Sequence, residues 1–202
     1  MSCFRTEDVA AYFDRLAPEW DSGLVRKENV IREILDRAGV SEGKSVLDVG
    51  CGTGVLVRDY LDRDAGSVTA VDVSAKMLEI AASRFRSEKV RFVCADAAGA
   101  EFGRQFDCIV VYNSFPHFPD PEGLIRNLSG KLLPGGTLTV AHGMSRERVN
   151  ARHLGTAVPV SNGLMPAEEL AALMGRFLRV GDVVSDERMY LVTGTRTAPG
   201  PG

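Results

Sequence analysis

Glycine occupies every second position, 50, 52 and 54, directly after the apolar run SVLDV (45–49). Alternate glycines tolerate left-handed backbone and let another group approach the main chain closely, so they mark a turn rather than a helix or strand interior. A buried strand, then this turn, then helical spacing at Val55, Leu56, Tyr60 and Leu61 (helix 55–63) is the opening of a β-α-β unit. The alternation continues downstream. SVTAVDV (67–73), VRFVCAD (90–96), FDCIVVYN (106–113) and TLTVAH (137–142) read as further strands. Helices are expected at 75–85, with Ser74 as N-cap, and at 121–133, stopped by Pro134-Gly135-Gly136. Strand cores that are apolar throughout imply a sheet covered on both faces.

The expected fold class is therefore α/β: a Rossmann-like, seven-stranded, mostly parallel sheet with helices on both faces. Its last two strands form an antiparallel C-terminal hairpin, from LRVGDVVSDERMYLVTGTR turning at Ser185-Asp186-Glu187, after a helix at 166–176 that starts on Pro166. The expected organisation is a single domain over 1–202. Residues 1–40 form an N-terminal helical cap, with helices at 8–16 and 24–38. Residues 41–142 are the ligand-binding core, 143–165 a lid or a long connection containing a short helix, 166–197 the closing helix and hairpin, and 198–202 a tail.

Composition narrows the partners. A formal net charge of −3 argues against a protein that grips nucleic acid by its phosphates. No run is long and apolar enough to enter a bilayer, and MSCFRTEDVAAYFDRL has early acids and no apolar signal core, so a cytoplasmic location is expected. The four cysteines form no C-x-x-C pair and are expected as free thiols.

Ligands of such sheets bind at the carboxyl ends of the strands. Asp48, Asp72, Asp96, Asn113 and His142 all fall there. The turn departs from the dinucleotide fingerprint G-x-G-x-x-G, because Val55 stands where the third glycine belongs. Asp48, two residues before Gly50, is ill placed beside a pyrophosphate, and no Walker lysine follows. The site asks for a ligand without phosphate and with positive charge near Asp48.

DVGCGTG (48–54) resembles the first motif of class I S-adenosylmethionine-dependent methyltransferases. The resemblance extends through Asp72 in VTAVDVS, Asp96 in VCADA, FDCIVVYNSFPHF and LLPGGTLTVAH. FDRLAPEWD is similar to the opening of the ubiquinone-menaquinone-like branch of small-molecule methyltransferases. The implied cofactor is S-adenosyl-L-methionine, with S-adenosyl-L-homocysteine as product. The implied cofactor residues are Asp48 for the ammonium, Gly50, Cys51, Gly52 and Gly54 for close backbone approach, Asp72 for the ribose hydroxyls, Val73 and Met77 against the adenine, Asp96 and Ala97 at its edge, and Asn113 beside the methionine portion.

The acceptor side rests on fewer signals. His117 and His142 are the candidate general bases. Tyr12, Trp20, Phe115, Phe118, Asn150 and His153 are candidates for the acceptor pocket, while Phe13 is expected to pin the N-terminal helices to the body. No metal is expected; the alternative is one gathered by His117, His142 and His153. The expected partner is a small-molecule acceptor, with no nucleic acid and no membrane insertion, and with room for a homodimer. The rival functions are a non-catalytic sensor of the same cofactor, a nicotinamide oxidoreductase and a nucleic-acid methyltransferase. Asn113-Ser114-Phe115-Pro116 lacks the N-P-P-aromatic tetrapeptide of amino-group DNA methyltransferases.

Overall fold

The computed structural model describes residues 4–156 and 160–198, without the side chains at positions 153, 155 and 156. Seven strands form one sheet: β1 (Ser45–Val49), β2 (Ser67–Asp72), β3 (Val90–Cys94), β4 (Phe106–Tyr112), β5 (Leu132–His142), β6 (Arg179–Ser185) and β7 (Tyr190–Thr195). Their order is β3-β2-β1-β4-β5-β7-β6. The first five run parallel, and β7 lies antiparallel between β5 and β6. The chain reverses its direction of travel between β1 and β4, which opens a crevice at the carboxyl ends of the strands.

Side-chain alternation along β1 sorts the two faces. Leu47 and Val49 pack with Leu124, Ile125 and Leu128 of α5 (Pro121–Gly130), in a core that also takes in Leu170 and Met174 of α7 (Ala167–Met174). Val46 points the other way, to Ile31 and Leu35 of α2 (Glu28–Arg37) and to Tyr60 of α3 (Val57–Asp62). Asp48 shares the face of Val46, so the strand itself drives a carboxyl into the interior beside Tyr60. α4 (Ala75–Arg84) begins at Ser74, whose hydroxyl accepts from the Met77 N–H at 3.1 Å.

Several boundaries differ from expectation, each for a local reason. α1 spans Thr6–Leu16, and APEWDSG is a 3-10 helix over Ala17–Gly23. α2 begins at Glu28 because Leu24 has extended backbone and Arg26 pins the crossing to α3, its Nη2 donating to both Asp59 carboxylate oxygens (2.9 and 3.0 Å). α3 starts only at Val57, since turn conformation persists through Leu56. α5 ends at Gly130, and Pro134-Gly135-Gly136 lies inside β5, where the register with β4 shifts between Phe106 and Cys108. Pro166 is the N-cap of α7, not its first residue. The final hairpin turns on Asp186, whose carboxylate accepts from the N–H groups of Arg188 and Met189, both at 2.8 Å. The stretch read as a lid or connection carries α6 (Arg146–Thr156). Positions 199–202 of the proposed tail lie outside the described residues. No helix among the described residues is long and apolar enough to cross a membrane.

Candidate active site

The crevice between β1 and β4 opens into a cleft lined by the loops at the strand ends and by the N-terminal segment. Its floor is the glycine turn. Gly50 sits at φ +67°, and a Cβ there would lie 2.6 Å from the Ser114 side chain. Gly54 sits at φ +84°, and its Cβ would meet the Phe85 ring at 2.8 Å. Gly54 therefore packs the turn onto the end of α4 and does not line the cleft, unlike Gly50, Cys51 and Gly52.

Three carboxyl groups line this cleft in succession: Asp48, Asp72 and Asp96. Asp48 is only 2% exposed, and its Oδ2 has no hydrogen-bond partner. Burial pushes its pKa up to about 7; the adjacent Tyr60 hydroxyl pulls it down without completing a hydrogen bond, and the Asp72 charge adds to the rise. Asp72 accepts the Gly52 N–H at 2.8 Å on Oδ2 and the Ser74 N–H at 2.9 Å on Oδ1. Burial still raises its pKa, against those backbone donors. Each Asp72 oxygen keeps a second lone pair, an arrangement matched to two neighbouring hydroxyls. Asp96 accepts the Ala98 N–H at 2.9 Å and the Thr6 hydroxyl at 2.8 Å.

Val73, Met77 and Ala97 line the cleft beside these acids. So does Asn113, at φ +55°, with its Oδ1 accepting the Gly143 N–H at 3.0 Å. The opposite wall comes from the N-terminal segment: Val9, Phe13, Trp20 and Leu24. Phe13 stands edge-on to both Trp20 (5.4 Å between ring centres) and His117 (4.9 Å). Phe13 thus walls the cleft as well as packing α1, and Thr6, Val9, Leu24 and Ser114 are lining residues that the sequence did not single out. An amphipathic helix looks the same whether its apolar stripe faces a core or a cavity, so only Thr6 carried a signal, as a hydroxyl at a helix start.

The histidines part company. His117 lines the cleft, and its Nδ1 is 2.8 Å from the Val160 carbonyl oxygen. A carbonyl only accepts, so Nδ1 carries the proton, and in the neutral form of the ring the lone pair is on Nε2. His142 does not line the cleft. It ends β5, pairs with Tyr190 of β7 and is buried against that ring, 6.0 Å between centres. The antiparallel insertion of β7 is what covers it. The side chain of His153 lies outside the described residues. Among the described residues no group of three or more His, Cys, Asp or Glu side chains is placed to hold a metal; the three-histidine alternative turns on His153, whose side chain lies outside them.

Three other pocket candidates also sit elsewhere. Tyr12 packs edge-on to Phe13 beneath the Arg15 guanidinium. Phe115 is buried in the α5 core and edges a separate shallow depression. Asn150 holds the 160–165 segment in place, accepting the Leu164 N–H at 2.6 Å and donating to its carbonyl at 3.1 Å. Trp20 and Phe118 do line the cleft.

Residues 46–136 match the family model described as a methyltransferase domain. Over this stretch the chain is similar to class I S-adenosylmethionine-dependent methyltransferases. It is 34% identical over 132 residues to the malonyl-[acyl-carrier protein] O-methyltransferase of Acetivibrio thermocellus, covering 63% of this chain and 46% of that one. The chain spans about half the length of the curated relatives it matches. Among solved structures, this methyltransferase fold is shared with a putative methyltransferase in complex with the Haloferax volcanii Trm112 activator (TM-score 0.78, 21% identity, 92% of this chain and 98% of that one). It is shared also with the N-methyltransferase NodS of Bradyrhizobium japonicum bound to S-adenosylhomocysteine (TM-score 0.71, 16% identity, 95% and 97%).

Proposed function

We propose that the protein transfers a methyl group from S-adenosylmethionine to a small, largely apolar acceptor bearing an O–H or N–H nucleophile. The observation that carries this reading is the Asp48 carboxyl: buried, lining the cleft, and with one oxygen lacking any hydrogen bond. Such an atom is costly unless a ligand donor completes it. The donor set fits the cofactor. Asp48 takes an ammonium, Asp72 a ribose diol and Asp96 the adenine amino group, while the glycine turn and Asn113 border the methionine portion. A phosphate would be repelled by all three acids, which disfavours a dinucleotide. S-adenosylhomocysteine in NodS and the methyltransferase names of the curated relatives support the same assignment.

When bound, the cofactor supplies a methyl group on a sulfonium, with a neutral thioether as leaving group. The chain's own task is then alignment and exclusion of water, worth several kcal/mol on the order-of-magnitude scale of such effects. Val9, Phe13, Trp20, Leu24 and Phe118 supply the apolar wall. His117, with its tautomer fixed by Val160, accepts the proton of the nucleophile on Nε2. Unpaired Cys51, Cys94 and Cys108 support a reducing, cytoplasmic setting.

The test is calorimetric titration of wild type and His117→Ala with S-adenosylhomocysteine, followed by turnover against a panel of phenols and amines. Expected are equal affinities and turnover slowed on the order of a hundredfold in the variant. Binding of NADH in place of the thioether nucleoside, or unchanged turnover without His117, would overturn the assignment.

A further inference from the structure

Behind Asp48 stands Tyr60 of α3. Its ring is fully buried in a cluster with Ile31, Leu35, Val46 and Val110, and its hydroxyl has no hydrogen-bond partner. The Asp48 Oδ2 beside it is buried and equally unpaired. Asp48 lines the cleft and Tyr60 does not, so the carboxyl lies between the ligand space and the phenol. The side chain set to hydrogen-bond that hydroxyl is Asp48.

The neighbours decide how this pair behaves. Asp59 of α3 and Asp72 at the end of β2 are acids, and both oppose a second charge on Asp48, as burial does. Arg26 does not relieve it, because its guanidinium is taken up by Glu28, Asp59 and the Val55 carbonyl. Cys51 follows β1, while Cys108 and Tyr112 come from β4; burial keeps all three neutral, and it keeps the Tyr60 phenol neutral too. α2 presents Ile31 and Leu35. Tyr60 is thus a permanent neutral donor facing a carboxyl that changes charge near neutral pH.

We propose that Tyr60 is a positioning residue for the cofactor: its hydroxyl donates to the Asp48 carboxylate that forms as an ammonium enters the cleft, so ligand entry expels one proton and completes a buried chain of ammonium, carboxylate and phenol. The inference rests on the cofactor assignment above. The O–H bond of the Asp48 carboxyl breaks, its proton leaves to water through the cleft, and the ammonium keeps its own three. A hydrogen bond to a carboxylate is stronger than one to a neutral acid, so Tyr60 favours the ligand-bound form without touching the ligand.

The experiment is calorimetric titration of S-adenosylhomocysteine into wild type, Tyr60→Phe and His117→Ala, in buffers of low and high ionisation enthalpy, at about pH 6 and about pH 8.5. The wild type should release about one proton at the lower pH and about none at the higher, where the ligand-free carboxyl is already ionised. His117→Ala should release the same proton. Tyr60→Phe should bind about tenfold more weakly at the lower pH, with the loss shrinking at the higher, because the affinity plateau moves to more alkaline pH. An equal loss at both pH values would mark a packing role and overturn the proposal, as would loss of the proton release in His117→Ala. Wild-type heats indifferent to the buffer at the lower pH would overturn it even if Tyr60→Phe failed to fold, and would leave the cofactor assignment standing. Absence of any binding of S-adenosylhomocysteine to wild type would overturn both.

Discussion

Replacing Asp48 by asparagine should make the ligand-free protein more stable in mild alkali and at the same time strip it of its cofactor. The carboxyl is buried and incompletely bonded, and its pKa is raised from 3.8 to about 7. The folded state therefore holds this proton to higher pH than the unfolded chain does. The stability it contributes is fully present below pH 3.8, declines as the unfolded carboxyl ionises, and is lost once pH passes about 7. With those two values, linkage gives a loss of about 2 kcal/mol between about pH 5.5 and about pH 8.5. That corresponds to about 5 °C in midpoint for a chain of this length.

Asparagine has nearly the same shape and no charge, so the Asp48→Asn protein should escape this loss. Thermal melts of both proteins at the two pH values measure the difference directly. The gap in midpoint should widen in favour of the variant at the higher pH. Adding S-adenosylhomocysteine should raise the wild-type midpoint by mass action and the variant's far less, because the ammonium has lost its counter-charge. A variant whose midpoint tracks wild type in parallel at both pH values would refute the claim that this carboxyl is strained by burial. A variant that gained as much from the ligand as wild type would refute its role as the ammonium partner.

Asp72→Ala should weaken S-adenosylhomocysteine by at least about tenfold in calorimetric titration, since it deletes a charged acceptor and frees the Gly52 and Ser74 N–H groups it fixes. Gly54→Ala should cost roughly 2–4 kcal/mol in urea unfolding, from a left-handed backbone and a collision with Phe85, and Phe85→Leu added to it should restore part of the loss. His142→Ala should lower stability by roughly 1–3 kcal/mol through lost packing on Tyr190, while turnover per folded molecule stays at the wild-type value.

Much of the proposed cofactor half was legible because it is local. The strands β1, β2 and β4 begin where their apolar runs begin, and Ser74 caps α4 as its position implied. Asp48, Asp72 and Asp96 line the cleft because a parallel sheet brings its carboxyl ends to one edge. The acceptor half was less legible because it depends on non-local placement. His117 and His142 both follow strands, yet only the insertion of β7 beside β5 decides that one faces the cleft and the other a tyrosine ring. Pro134-Gly135-Gly136 resembles a helix stop in isolation; pairing of the flanking Leu132 and Thr137 with β4 places it inside a strand, at an irregularity in the register. Trp20 and Phe118 could be read as aromatic residues near a rim, but Tyr12, Phe115 and Asn150 fail on side-chain direction, which spacing alone does not set.

The same division has a chemical consequence. The sheet edge supplies the carboxyl groups of the cleft, and those of Asp72 and Asp96 are held by backbone N–H groups. The wall opposite is made from apolar side chains on a segment joined to the sheet edge by a few polar contacts, through Thr6, Asp14 and Asp21, whose hydrogen bonds are each worth about 1 kcal/mol. Substitutions at Val9, Phe13, Trp20 or Leu24 can therefore reshape the acceptor space without disturbing Asp48 or Asp72. Changes at the turn cannot be made so freely, because Gly50 and Gly54 have neither the backbone conformation nor the room for a side chain. Acceptor choice should consequently follow this N-terminal wall, and a chimera that exchanges residues 6–24 with those of a relative should shift acceptor preference while keeping S-adenosylhomocysteine affinity. The opposite outcome, affinity changed and preference retained, would place acceptor recognition on the sheet side of the cleft, around His117 and Phe118.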